Sequence, residues 1–225
     1  MRFPVLTQLI KLNETWDVDF LFDMTMDCII EWKYESDEEL VSLIYLVNHL
    51  RDKLSGVDIY LQMLYIPNGR MDRTQDPCEV FTLKYFCEII NSLNFTEVKV
   101  LDAHSNVSLA LLDRVVEIKP TVYIEEAIRR VNNEAFYNED IVLFFPDAGS
   151  MKRYSNMINN AINIKYCHGE KERDWETGEL KHEIKIINDF NIDLRGKTIL
   201  MVDDIIAYGG TMINSAKALK EQGVE

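Results

Sequence analysis

Short runs rich in branched and aromatic residues recur along the chain, and between them apolar residues return at helical spacing. The first forty residues read as short strands, and residues 25–34 (Thr-Met-Asp-Cys-Ile-Ile-Glu-Trp-Lys-Tyr) make the best of them. Ser36 followed by Asp37, Glu38 and Glu39 is an N-cap with an acidic first turn. The helix it opens carries Leu40, Leu43, Ile44, Val47 and Leu50 and reaches about Leu54, where Gly56 stops it. Residues 57–66 give the next strand, broken by Pro67-Asn68-Gly69. A helix opens at Pro77 and runs through Phe81, Tyr85, Phe86 and Ile89 to Leu93.

Residues 97–102 form a buried-type strand ending at Ala103 and His104, and 107–112 a short helix or turn. Residues 121–131 are helical, and 132–140 form a polar connector. The apolar strand 141–145 ends in Pro146-Asp147-Ala148-Gly149, and 150–161 are helical. Residues 163–166 read as a strand and 167–181 as a long polar loop. A turn at 194–197 leads to strand 198–202, a polar turn, and a helix from about Thr211 to Gln222. Strands alternating with helices predict an α/β protein with mostly parallel sheets. The connector places a boundary near residue 135, giving domains of 1–135 and 136–225. The chain stops after a helix with Gly223 as its C-cap, where a further strand would be expected, so the second domain reads as incomplete.

Composition narrows the function. Of 225 residues, 47% are hydrophobic and 28% charged, ordinary for a globular protein. Acids outnumber bases 38 to 24, a formal charge of -14, which argues against nucleic acid or an anionic membrane as partner. A small anionic substrate stays open, because local cations and backbone N–H groups bind phosphate on an acidic protein. Cys28, Cys78, Cys87 and Cys167 show no zinc-like spacing and read as free thiols of a reducing compartment. No apolar run is long enough to span a bilayer, and the apolar part of the N-terminus is too short for a signal peptide. A cytoplasmic protein is expected.

The chemistry concentrates at residues 199–212, Ile-Leu-Met-Val-Asp-Asp-Ile-Ile-Ala-Tyr-Gly-Gly-Thr-Met. A strand runs into two acids, then a glycine pair opens a helix. A phosphate at that helix N-terminus meets free N–H groups and the positive end of the dipole. Gly209 and Gly210 let the backbone approach, and Thr211 can donate a hydroxyl hydrogen bond. Asp203 and Asp204 cannot bind phosphate; they suit the 2- and 3-hydroxyls of a ribose, directly or through Mg²⁺. The alternative is a capped helix after an acidic turn, with no ligand.

This segment resembles the phosphoribosyl diphosphate (PRPP) signature shared by type I phosphoribosyltransferases and ribose-phosphate pyrophosphokinases. The resemblance implies that Ala207, Tyr208, Gly209, Gly210 and Thr211 hold a 5-phosphate while Asp203 and Asp204 address the ribose hydroxyls. Ala207 stands where the pyrophosphokinases commonly have an acid. Three further segments, in order, resemble the pyrophosphokinases. Arg70-Met71-Asp72-Arg73 is similar to their Arg-Gln-Asp-Arg segment and implies ATP contacts from Arg70, Asp72 and Arg73. Asp102-Ala103-His104 is similar to their Asp-Leu-His segment and implies that His104 binds Mg²⁺ or ATP phosphates, with Asp102 supporting the loop. Residues 145–153 resemble their Ser-Pro-Asp segment, implying Asp147 as a Mg²⁺ ligand and Arg153 as a positioning group, with Ser150 in place of a glycine. Lys171 and Arg173 match the Lys-x-Arg pair of a loop that closes over the substrates.

The implied fold is a pair of phosphoribosyltransferase-like domains. The implied reaction moves the β,γ-diphosphoryl group of ATP to the 1-hydroxyl of ribose 5-phosphate, with Mg²⁺ as cofactor, in a homo-oligomer. A salvage phosphoribosyltransferase using PRPP and a non-catalytic binding homologue remain alternatives.

Overall fold

A computed structural model describes residues 27–54, 56–131, 140–161, 164–173 and 180–224. The N-terminal strands expected before residue 27 and the connector at 132–139 lie outside these residues. The chain divides into two compact units, Met1–Lys119 and Pro120–Glu225.

In the first unit the elements are β1 (Cys28–Trp32), α1 (Asp37–Lys53), β2 (Ile59–Met63), α2 (Thr82–Ser92), β3 (Glu97–Leu101), α3 (Asn106–Leu111) and β4 (Val115–Ile118). The strands form one parallel sheet in the order β1-β2-β3-β4. Alternate residues of β1, β2 and β3 are buried: Cys28, Ile30 and Trp32; Ile59, Leu61 and Met63; Val98 and Val100. They pack with Leu43, Val47 and Leu50 of α1 and Leu83, Phe86, Cys87 and Ile90 of α2. Each such side chain contributes about 1.5–3 kcal/mol relative to an exposed one. Helix α2 starts at Thr82, five residues after Pro77, because the chain first makes a turn of its own. The N–H groups of Cys78 and Glu79 both donate to Asp76, at 2.7 and 3.0 Å.

The second unit contains α4 (Thr121–Val131), β5 (Ile141–Phe145), α5 (Ala148–Ala161), β6 (Tyr166–Arg173), β7 (Leu180–Ile187), β8 (Thr198–Met201) and α6 (Gly210–Glu221). Its sheet runs β7-β6-β5-β8; β5 is parallel to both neighbours, and β6 and β7 are antiparallel. All five residues of β5 are buried, as a strand covered on both faces requires. Leu143 and Phe145 pack with Ile124, Ile128 and Tyr154, while Val142 and Phe144 pack with Cys167, Leu194 and Leu219. The α/β architecture with mostly parallel sheets is therefore the one expected.

The segment expected as a polar loop departs from expectation. Residues 166–173 and 180–187 are strands, and 174–179 lie outside the described residues. Strand β6 pairs with β5 only from Tyr166 to His168. From Gly169 to Arg173 it continues past the carboxyl end of β5, paired with β7 alone. Gly169 makes this passage possible. A Cβ there would lie 2.7 Å from Ile184 Cγ2 and 2.8 Å from the carbonyl oxygen of Pro146. Gly169→Ala is expected to destabilise the protein by about 1–3 kcal/mol, the usual range for overpacking. Denaturant melts of the two proteins check it, and superimposable curves would refute the tight passage.

Candidate active site

In the second unit the site is built at the carboxyl ends of β5, β6 and β8, which lie side by side in parallel. After β5, Asp147 caps α5. Its Oδ1 accepts from the Ser150 N–H at 2.9 Å, and the Ser150 hydroxyl donates to the Asp147 carbonyl at 3.0 Å. The serine in the place of a glycine thus tightens this turn, which the sequence alone did not reveal.

After β8, the Val202 N–H donates to the Phe144 carbonyl at 3.0 Å, so the chain leaves the sheet in register with β5. Asp203 and Asp204 come next. The Asp204 N–H donates to Asp203 Oδ1 at 3.1 Å. The Asp204 carboxylate is nearly buried, with 6% of the side chain exposed, and pairs with Arg153 Nη1 at 2.9 Å. Asp203 is half-buried, and its carboxyl is pushed up to about 6. Burial is the main cause, followed by the charge of Asp204, their shared hydrogen bond, and the charge of Asp147.

The loop then turns outward. Ile206, Ala207 and Tyr208 are exposed, Tyr208 completely. Gly209 sits at φ +75, ψ 0 as the N-cap of α6, a conformation that suits glycine, and no described side chain caps the helix. A glycine at the N-cap leaves the first N–H groups of α6 without the acceptor a capping side chain would supply, a feature that suits an anion. Gly210 begins the helix, with Thr211 half-buried in its first turn.

Lys171 and Arg173 lie on the part of β6 that projects past the end of β5. Their backbone thus rises from the same sheet edge as Asp147 and the 203–211 loop.

In the first unit, Arg70, Asp72 and Arg73 come after β2, and His104 after β3. Asn68 takes φ +60; the Gly69 N–H donates to the Ile66 carbonyl at 3.1 Å, and the Met71 N–H to the Asn68 carbonyl at 2.8 Å. These turns present Arg70 and Arg73 to solvent, with Arg73 Nε 4.0 Å from a mostly covered Asp72. The two loops meet where a Cβ on buried Gly69 would lie 3.5 Å from the His104 Cβ. Asp102, at φ +48, supports its loop through an N–H donated to the Ile118 carbonyl at 3.0 Å. His104 and Asp147, the two expected metal ligands, belong to different units.

Among the described residues no group of three or more His, Cys, Asp or Glu side chains is arranged to hold a metal ion. No described helix is long and apolar enough to cross a membrane. All four cysteines are unpaired, and burial pushes the thiols of Cys28, Cys87 and Cys167 up to about 12.

The state of Asp203 has a consequence for stability. The folded protein holds this proton more tightly than the unfolded chain does. That stabilisation is complete below the ordinary aspartate value of 3.8 and is lost as pH rises through about 6. Asp203→Asn is therefore expected to gain melting temperature relative to the parent protein between about pH 4 and pH 6.5. A difference that stays constant across that window would refute the shift.

Residues 118–225 match the family described as phosphoribosyl transferase domain. A ribose-phosphate pyrophosphokinase of Saccharolobus solfataricus is 28% identical over 85% of this chain and 62% of its own length. One from Thermococcus kodakarensis is 27% identical over 85% of this chain and 64% of its own. One from Methanopyrus kandleri is 26% identical over 99% of this chain and 70% of its own. The crystal structure of phosphoribosylpyrophosphate synthetase from Mycobacterium smegmatis has the same fold, with a TM-score of 0.71 at 17% identity over 88% of this chain and 62% of that one. The strand–acid–acid–glycine turn is thus part of a phosphoribosyl transferase domain. Over most of its length the chain resembles ribose-phosphate pyrophosphokinases, as a diverged relative of them. It spans about three fifths of the length of the first two of these curated relatives.

Proposed function

We propose that this chain carries the site of a ribose-phosphate pyrophosphokinase, transferring the diphosphoryl group of ATP to ribose 5-phosphate to give PRPP and AMP. The observation that carries this reading is the convergence on one sheet edge. The β8–α6 loop offers an anion site beside paired acids, and the β6–β7 hairpin brings Lys171 and Arg173 up past the same edge.

In this reading the N–H groups at the start of α6 and the Thr211 hydroxyl hold the 5-phosphate, and the 203–204 turn receives the sugar. The 1-hydroxyl oxygen attacks the β-phosphorus, the bond from that phosphorus to the α-phosphate oxygen breaks, AMP leaves, and the hydroxyl proton passes to solvent. Charge builds on the transferring group, and Lys171 and Arg173 neutralise it. Arg70 and Arg73 supply planar donors to ATP phosphates, with Asp72 ordering Arg73 and His104 beside them. Mg²⁺ is the proposed cofactor, supplying charge neutralisation on the phosphates. The hard oxygens of Asp147 and the paired acids fit an ion that takes one or two carboxylates and completes its shell with substrate oxygens and water; His104 is the ligand proposed in the first unit. A cytoplasmic homo-oligomer completes the proposal, suggested by the unpaired buried thiols and by the resemblance to the pyrophosphokinases.

The test is an assay of this chain with ATP, ribose 5-phosphate and Mg²⁺, following AMP and PRPP. Equimolar appearance of both supports the proposal. PRPP consumption with a base and no AMP would replace it with a salvage transferase. Ribose 5-phosphate binding with no turnover in either assay would make the chain a non-catalytic binder.

A further inference from the structure

Four aromatic rings step outward from the core of the first unit to its carboxyl edge. Phe86 of α2 and Trp32 at the end of β1 stack with centroids 6.2 Å apart. Trp32 meets Tyr34 edge to face at 5.7 Å, and Tyr34 meets Tyr65 at 6.3 Å with the planes at 90°. The backbone places this last pair. Trp32 and Met63 are register partners in parallel strands, and Tyr34 and Tyr65 each stand two residues beyond them. The Leu64 N–H donates to the Trp32 carbonyl at 3.4 Å, which carries the ladder past the strand ends.

The polar ends of these rings are engaged. The Trp32 indole N–H donates to Glu39 at 3.1 Å, and the Tyr34 hydroxyl to Asp37 at 2.6 Å. The Tyr65 hydroxyl donates to the Tyr34 carbonyl. Such bonds fix the ring planes, and what is left to offer is ring surface. Tyr65 is 39% exposed, beside Leu64 at 52%. This surface suits a flat, uncharged group. It does not suit a phosphate, because Glu35, Asp37, Glu38 and Glu39 lie in the adjoining turn and the start of α1. Cations come further along the loop after β2. Tight turns at Gly69 and Met71 lead to Arg70 and Arg73, both exposed. One loop thus presents an aromatic plane and then guanidinium groups, the order of base and phosphates in a nucleotide.

We propose that Tyr34 and Tyr65 form a shelf for the base of ATP, with Tyr65 as the ring that stacks on it. This rests on the ATP reading of the Arg70–Arg73 loop. Packing against Tyr34 holds the Tyr65 ring in place before the nucleotide arrives, so little side-chain freedom is lost on binding.

The experiment is a calorimetric titration of the chain, in the presence of Mg²⁺, with ATP and with inorganic tripolyphosphate, which has the phosphates and no base. The parent protein should bind ATP about tenfold more tightly than tripolyphosphate, the scale of one base stacked on an aromatic ring. Tyr65→Ala should abolish that advantage while tripolyphosphate binding stays within about twofold. Tyr65→Phe keeps the ring and should keep the advantage. Arg73→Ala should weaken both ligands alike. Tyr65→Leu retains apolar bulk without the ring, and should lose the advantage as alanine does even if alanine unfolds the loop. An ATP advantage unchanged in Tyr65→Ala and Tyr65→Leu, or equal binding of the two ligands by the parent protein, overturns the shelf and leaves the ATP reading standing. A parent protein that binds neither ligand overturns the ATP reading, and the shelf with it.

Discussion

Replacing Lys171 or Arg173 by alanine is expected to lower turnover of ATP and ribose 5-phosphate by about 10²–10³-fold each, while ribose 5-phosphate binding stays within about threefold. The expected sign and size come from where charge appears in the proposed reaction. In the proposed reaction the ground-state sugar phosphate sits in the 203–211 loop, to which neither residue belongs. The transferring diphosphoryl group gains charge on its equatorial oxygens in the transition state, and that is what two cations on a projecting hairpin would meet. Interactions made only in the transition state depress kcat without a matching change in binding. Steady-state AMP release together with calorimetric binding separates the two quantities. Turnover within about threefold of the parent protein in both variants would remove the hairpin from the chemistry.

Arg153→Met is expected to cost roughly 3 kcal/mol of stability, the low end of the range for removing one partner of a buried ion pair. Only 6% of the Asp204 side chain is exposed, so the orphaned carboxylate gains little hydration. It would also lie beside Asp203, whose own carboxyl is already pushed up by burial and by Asp204. Two adjacent acids would then share a site from which the paired guanidinium had gone. For a unit of this size the melting temperature should fall by on the order of 10 °C. A loss below about 1 kcal/mol would mean that the pair behaves as an ordinary solvated one.

Much of this was legible in the sequence because the informative segments are local. A strand, a polar turn and a capped helix announce themselves within fifteen or so residues by apolar run, Asp-Asp and Gly-Gly-Thr, and β5 with its Pro146-Asp147 turn does the same. What stayed hidden depends on neighbours distant in the chain. The Arg153–Asp204 pair joins an α5 residue to the turn after β8, and no spacing rule connects them. Strands β6 and β7 carry Lys171, Arg173, Lys181 and Lys185 among their residues, a composition that reads as a solvated loop. Their pairing comes from backbone hydrogen bonds, which charge does not forbid, at the edge of a sheet. Strand β4 escapes a reading by pattern for a related reason: it is four residues long, half-exposed, and squeezed between α3 and Pro120. Polarity alone puts the boundary near residue 135, whereas α4 buries Ile124 and Ile128 against β5 and so packs with the second unit.

The pairing of β5 with β8 works as a ruler. Phe144 faces Met201 in that ladder, and the Val202 N–H extends it by one more bond, so the spacing of Asp147 from Asp203 is set by backbone atoms before any side chain is chosen. Loops mounted on such a ruler behave as exchangeable cassettes. Their sequences can be rewritten, as with Ser150 and Ala207 here, without moving the points from which they spring. That gives a protein engineer two fixed sockets on adjacent strands, into which a different pair of turns could be grafted.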